Sequence, residues 1–175
     1  DGSLKITKDF PCTRLLHFQK HPHTNKLNLT VYMRSNDLMW GASAVNIFNF
    51  TFMLEYFSQI LNLEIGDYYH ISNNLHIYSE YREILEAISK QNNYTDLGFN
   101  YFKSFHNLFD FDEKVEILRK EEEKLRQGII TNLIDFKDDF FNDWYKTFYV
   151  FNTKKHVSFS NPLLYKLFNK YMSNE

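Results

Sequence analysis

Four groups of residues have the types and spacing to do chemistry. Arg34, Ser35 and Asp37 fall in the run Tyr32-Met33-Arg34-Ser35-Asn36-Asp37. A guanidinium beside a hydroxyl suits a phosphate, because the Arg fork offers paired donors and Ser adds a third. An Arg34–Asp37 salt bridge with Ser35 as a helix cap would use the same residues structurally. Cys12, the single cysteine, follows Pro11. A free cysteine is most often a small buried hydrophobe, but a cation near the sulfur, Arg14 or Arg34, would populate the nucleophilic thiolate. His76 and Tyr78 stand two apart, so on a strand they share a face. There a ring nitrogen and a phenol could hold a substrate hydroxyl, although a rim pair on a sheet has the same spacing. His21 and His23 have no carboxylate or cysteine beside them, and no metal site is expected.

The elements that must position these groups are legible from periodicity. Leu27, Leu29 and Val31 alternate with Asn28, Thr30 and Tyr32, the period of a half-buried strand. Arg34, Ser35 and Asp37 then lie where that strand ends, a common place for binding groups. Leu15–Gln19 reads as a second strand, joined to the first through a hairpin loop over Lys20–Asn25. After a turn at Gly41, Val45–Leu63 is apolar on almost every face, as in a buried central helix. Gly66 is expected near its end. Tyr68–Tyr78 reads as a strand with an Asn-rich interruption. Beyond it, Ser79–Lys90 reads as a helix capped by Ser79, with Ile84, Leu85 and Ile88 on one face. Asn92–Phe111 reads as helix plus loop, and Asp112–Gln127 as an amphipathic helix capped by Asp112 with a solvated charged face. Ile129–Phe151 and Pro162–Met172 are helical or mixed, the latter with a stripe of Leu163, Leu164, Leu167, Phe168 and Tyr171.

With 175 residues, 43% hydrophobic and 18% aromatic, the chain can bury one sizeable core, and one domain is the default. Only 5 Gly and 3 Pro argue against low complexity. A formal charge of −2 leaves no footprint for general nucleic-acid or membrane-surface binding. No apolar run reaches spanning length and no signal peptide opens the sequence, so a cytoplasmic address is expected. One cysteine allows no intrachain disulfide.

Phe10-Pro11-Cys12, Tyr32 to Asp37, Gly41, Asn46, Gly66-Asp67 and His76-Ile77-Tyr78 stand in the order found in the C-terminal catalytic half of thymidylate synthase. The stretch from Phe10 to Tyr81 resembles that family. The resemblance implies an α+β fold, a mostly antiparallel or mixed sheet around the buried helix, with additional C-terminal helices. It implies that Cys12 adds to C6 of a pyrimidine deoxynucleotide monophosphate. Arg34 and Ser35 then bind the 5′-phosphate, with Arg34 also close to the thiolate, and Asn46 reads the base edge. His76 and Tyr78 hold the deoxyribose 3′-hydroxyl, and Asp37 helps place the folate. The resemblance likewise implies 5,10-methylenetetrahydrofolate as co-substrate, no metal, and a homodimer.

The chemistry accounts for these residue types. C5 of uracil is a poor nucleophile until a thiolate adds at C6 and makes it enolate-like. An Asn amide donates and accepts at once, which suits the N3 and O4 edge. The expected reaction is conversion of deoxyuridylate to thymidylate. A deoxycytidylate hydroxymethylase, and a non-catalytic homologue serving as a nucleotide-binding or protein-interaction module, are the alternatives. Thr13 stands where the family usually has His, and Met33 where it often has Gln. Gly41 to Asn46 is one residue longer than the family pattern, which makes Ser43 and Asn49 rival base readers. The segment before Cys12 is too short to supply the family's phosphate loop, its proton-organising carboxylate and its cross-dimer arginines. The sequence is therefore expected to be one domain over 1–175 and a piece lacking the N-terminal part of the fold. Residues 10–81 are its catalytic-half-like portion and 82–175 a divergent, mostly helical extension.

Overall fold

The computed structural model describes residues 10–91, 99–129 and 132–173. Residues 92–98 of the Asn92–Phe111 stretch and 130–131 of Ile129–Phe151 lie outside the described residues. Contacts divide the chain into two compact units, Asp1–Asn93 and Tyr94–Glu175, where sequence suggests one domain changing character after Tyr81. Each unit has its own apolar cluster.

In the first unit, β1 (Thr13–Lys20) and β2 (Lys26–Met33) form an antiparallel hairpin. The chain then crosses through a π-helical turn (Leu38–Val45) and α1 (Asn46–Ile60) to β4 (Glu64–Ser72). That strand runs parallel to β2, so the sheet is mixed, in the order β1-β2-β4. The alternation in β2 holds: Leu27, Leu29, Val31 and Met33 are buried, and they pack with Phe50 and Leu54 of α1. Burying each such side chain is worth about 1.5–3 kcal/mol. The helix covers the sheet with one face. Ile47 and Phe48, on another part of its apolar girth, and Val45 just before it remain exposed in this chain.

α1 stops at Asn62, which adopts the left-handed conformation (φ 53°), a role Asn fills when Gly does not. Gly66 lies instead inside β4, at an irregularity in the pairing between Leu27 and Leu29. The Asp67 N–H donates there to the Asn28 side chain at 2.9 Å. A Cβ on Gly66 would collide with that side chain and come within 2.6 Å of the Leu27 carbonyl. Gly66-Asp67 is thus a packing device of the strand.

The expected strand Tyr68–Tyr78 breaks at Asn73. A short β3 (Asn36–Asp37) pairs in parallel with β5 (Leu75–His76). The Asn36 N–H donates to the Asn74 carbonyl at 2.9 Å and the Asn73 N–H to the Met33 carbonyl at 3.1 Å. This pairing carries both chains past the C-terminal ends of β2 and β4 side by side. A 3-10 turn (Ser79–Tyr81) and α2 (Arg82–Ser89) follow. Ser79 makes no side-chain cap, because the 3-10 turn starts after Tyr78 and α2 after Tyr81.

The second unit contains α3 (Leu108–Arg126), α4 (Asp139–Thr153) and α5 (Pro162–Ser173). The first of these begins a turn before Asp112. Asn107 is its cap, accepting from the Asp110 N–H at 2.9 Å, since Asn is as good a cap as Asp and lies nearer the preceding loop. Its charged face is solvated apart from Glu121, which is buried and paired with Lys124. Asp138 caps α4, and Phe105, Phe111, Phe136, Phe141 and Tyr145 fill the centre of this unit. Along α5 the apolar stripe is half-covered: Phe168 stacks on Phe159, whereas Leu163 and Leu167 are exposed.

Candidate nucleotide site

A polar cleft of about 510 Å³ opens where β2 and β4 end. Cys12, Arg34, Ser35, Asn36, Asp37, Asn46, Asn74, His76 and Tyr78 line it. Cys12 reaches it from the entrance of β1, Arg34 to Asp37 from the exit of β2, and His76 and Tyr78 from β5 and the residues just past it. Asn46 comes from the first turn of α1. Cys12, Arg34, Ser35, Asp37, Asn46, His76 and Tyr78 therefore meet in one place, whereas Arg14, His21 and His23 do not line it.

The Cys12 and Arg34 segments are held together by two bonds. The Arg34 N–H donates to the Cys12 carbonyl at 2.8 Å, and Arg34 Nη2 donates to the Phe10 carbonyl at 2.9 Å. The guanidinium is thereby drawn toward the cysteine strand. Among the described residues, no Arg34–Asp37 salt bridge forms, and Ser35 is not a cap. Asp37 does the capping: its two carboxylate oxygens accept from the Trp40 N–H at 2.8 Å and the Gly41 N–H at 3.0 Å. Ser35 Oγ lies 3.5 Å from His76 Nδ1 and accepts from Asn74 Nδ2 at 3.4 Å. The His76 and Tyr78 rings meet edge to face, with centroids 5.1 Å apart, and present nitrogen and phenol to the same cleft.

The extra residue between Gly41 and Asn46 is taken up as a π-helical turn. The Asn46 N–H bonds to the Gly41 carbonyl five residues back, the pattern that accommodates one inserted residue without breaking a helix. Asn46 is thereby returned to the cleft. Ser43 and Asn49, its rivals in the sequence, are exposed and do not line it.

Behind Asn46 lies a chain of bonds between side chains. Asn46 Nδ2 donates to Asn36 Oδ1 at 2.8 Å, and Asn36 Nδ2 faces His70 Nε2 at 2.9 Å. His70 Nδ1 faces the Tyr68 hydroxyl at 2.7 Å. Asn36 is buried at 4% exposure, so leaving its amide unpaired would be costly. Burial lowers the His70 pKa from its ordinary value, because desolvation penalises the imidazolium, and raises the Tyr68 phenol to about 12. Both are therefore neutral near pH 7.

Asn36, Asn74, His70 and Tyr68 escaped the sequence reading. Asn36 lay inside the Arg34–Asp37 cluster without a charge to mark it. Asn74 belonged to an Asn pair that reads as turn punctuation. Only the inward parity of Tyr68 and His70 on β4, shared with His76, pointed their way.

Comparison with known proteins bears on this geometry. The family model for thymidylate synthase matches residues 3–123. A deoxyuridylate hydroxymethyltransferase of Bacillus phage SP01 is 46% identical over 72 residues, 41% of this chain and 18% of that protein. One of the same name from Pseudomonas phage M6 is 40% identical over 73 residues, 42% of this chain and 20% of the relative. A thymidylate synthase of Mycoplasma mobile is 34% identical over 107 residues, covering 59% of this chain and 36% of its own. The chain thus spans between 18% and 36% of the length of these relatives. Among solved structures, thermostable thymidylate synthase A from Bacillus subtilis superposes with a TM-score of 0.50 at 20% identity, over 57% of this chain and 35% of that one. That likeness establishes the α+β fold.

Proposed function

The chain belongs to the thymidylate synthase family, and from that premise we propose that its cleft transfers a one-carbon unit to C5 of deoxyuridylate through a cysteine adduct at C6. One observation carries the reading: Cys12, Arg34, Ser35, Asn46, His76 and Tyr78 line a single polar cleft although they come from four separate segments.

In this reading Arg34 and Ser35 hold the 5′-phosphate as a charge-assisted donor set, and His76 and Tyr78 take the 3′-hydroxyl. The Cys12 thiolate adds to C6, and the electron pair of the C5–C6 bond moves toward O4. Asn46 accepts from N3–H and donates to O4, where negative charge develops, so its amide stabilises the enolate more than the ground state. Asp37 orders the turn that carries Asn46 and borders the space for the folate. Methylenetetrahydrofolate supplies the carbon as co-substrate. Loss of the C5 proton and departure of the folate amine then leave an exocyclic methylene, still on the Cys12 adduct.

Two outcomes branch from that methylene. Hydride from the folate adds to the methylene, and the C5–C6 double bond re-forms as the Cys12 thiolate leaves C6, giving thymidylate; water adding there, with loss of a proton and the same departure of the thiolate, gives the hydroxymethyl product. The phage deoxyuridylate hydroxymethyltransferases at 46% and 40% identity favour the hydroxymethyl branch, and the bacterial thymidylate synthases the methyl branch.

A homodimer fits the same reading. Leu15, Tyr32 and Ile71 stand in register across β1, β2 and β4, with Tyr69 beside them on the sheet face opposite α1. All four are exposed, an apolar patch of the kind that marks an interface.

Release of tritium from C5-tritiated deoxyuridylate in the presence of methylenetetrahydrofolate tests the reaction, and the mass of the product separates the branches. Absence of both release and nucleotide binding by the full chain would leave the cleft without this role.

A further inference from the structure

We infer that Asn36, at the back of the cleft, and His70 behind it set the base preference by fixing which way the Asn46 amide faces. The inference rests on the reading of Asn46 as the base-edge residue and assigns deoxyuridylate over deoxycytidylate to this pair of positioning residues.

The two bases make opposite demands on an amide. Uracil offers a donor at N3 and an acceptor at position 4; cytosine offers the reverse. An Asn amide satisfies either by a half-turn, so an unrestrained Asn46 would discriminate poorly. Here it is restrained. One Asn46 amide hydrogen is committed to Asn36 Oδ1 at 2.8 Å. That fixes Asn36, whose own NH₂ must then point at His70 Nε2, 2.9 Å away. An NH₂ group can only donate, so Nε2 must be the bare nitrogen. The ring, neutral through burial, then carries its proton on Nδ1, toward the Tyr68 hydroxyl at 2.7 Å.

The three groups therefore turn together or not at all. Flipping Asn46 alone would set two carbonyl oxygens against each other. Flipping Asn36 with it would aim a carbonyl at the bare nitrogen unless the His70 tautomer also changed. Packing opposes such motion as well. A Cβ built on Gly41 would collide with Asn36 Oδ1 and approach Asn46 Nδ2 to 3.0 Å, so the glycine backbone is closed tightly over the Asn36–Asn46 bond.

The test is titration of the folded full chain with deoxyuridylate and with deoxycytidylate, reading the ratio of the two affinities. Wild type is expected to favour deoxyuridylate by about tenfold or more, the worth of one mismatched hydrogen-bond pair. Asn36→Leu, which cannot hold the amide, brings the ratio near unity. Asn36→Asp, which keeps the acceptor facing Asn46, preserves it. His70→Phe, with thermal unfolding as a check on folding, moves the ratio in the same direction as Asn36→Leu. Independently of any variant, ¹⁵N shifts of the His70 ring should report the Nδ1–H tautomer. An unchanged ratio in the folded variants, or the Nε2–H tautomer in wild type, overturns the inference. A wild type that prefers deoxycytidylate also overturns it while leaving a pyrimidine nucleotide site intact. Binding of neither nucleotide overturns the reading of the cleft and the inference together.

Discussion

Gly41→Ala is the substitution in which local propensity and tertiary packing make opposite forecasts. On helix propensity alone, Ala in place of Gly should stabilise the turn by roughly 0.5–1 kcal/mol, and Gly41 has no positive φ to forbid it. Packing points the other way. The new methyl would overlap the Asn36 side-chain oxygen, with Asn36 Cγ at 2.9 Å and Asn46 Nδ2 at 3.0 Å. Overpacking of this kind costs about 1–3 kcal/mol. Asn36, once pushed aside, weakens its bonds to Asn46 and His70, each worth about 0.5–1.5 kcal/mol. The sum, with both bonds lost and less the propensity gain, is a net loss of roughly 1–5.5 kcal/mol. Urea unfolding followed by circular dichroism reads it as a lower midpoint at unchanged slope. A neutral or stabilised Gly41→Ala protein would refute the close packing of Gly41 on Asn36 and with it the rigidity claimed for the Asn46 amide.

Other outcomes follow from the same geometry. Arg34→Ala should weaken deoxynucleoside monophosphate binding by about 1.5–3 kcal/mol, the range for hydrogen bonds to charged groups, and barely change nucleoside binding; equal losses for both in a titration would make Arg34 structural. Asp37→Ala should cost about 0.5–2 kcal/mol by removing the cap on the π-helical turn, read by the same urea midpoint, and an unchanged midpoint would mean the cap is dispensable. His70 has a folded-state pKa below its ordinary value, so below about pH 6.5 the unfolded chain takes up protons that the folded chain refuses. The stability this neutral ring contributes is present at pH 7.5 and falls as pH drops through that range. Replacing His70 by Gln should flatten the acid side of the stability profile; parallel profiles for the two proteins would contradict it.

How much of this was legible in the sequence depends on the distance over which each feature is determined. The β1–β2 hairpin and the burial of Leu27, Leu29, Val31 and Met33 follow from alternation and a Pro/Asn loop, both local. The cleft residues were findable because Cys12, Arg34 and His76 belong to reactive or charged types at strand ends. The π-helical turn was not legible: an inserted residue can be looped out or wound in, and only the packing of α1 on the sheet decides. The end of α1 at Asn62 and the start of α3 at Asn107 were misjudged because several residues nearby could serve as caps. The Asn36–His70–Tyr68 chain joins residues more than thirty positions apart through neutral groups, which carry no sequence signature. The exposed apolar sides of α1 and of the sheet, Phe48 and Leu15 among them, show where periodicity announces burial that this chain alone does not supply.

The central claim is that Cys12 is a nucleophile aimed at C6 of a bound uracil. Its most direct measurement is intact-mass spectrometry of the full chain after incubation with 5-fluorodeoxyuridylate and methylenetetrahydrofolate. Fluorine at C5 cannot leave as a proton does, so the adduct on Cys12 accumulates. The account predicts one added nucleotide and one added folate per chain, located on Cys12 by peptide mapping and absent from Cys12→Ser. Binding of the nucleotide without any mass increase would contradict it and leave a cleft that holds the ligand without reacting.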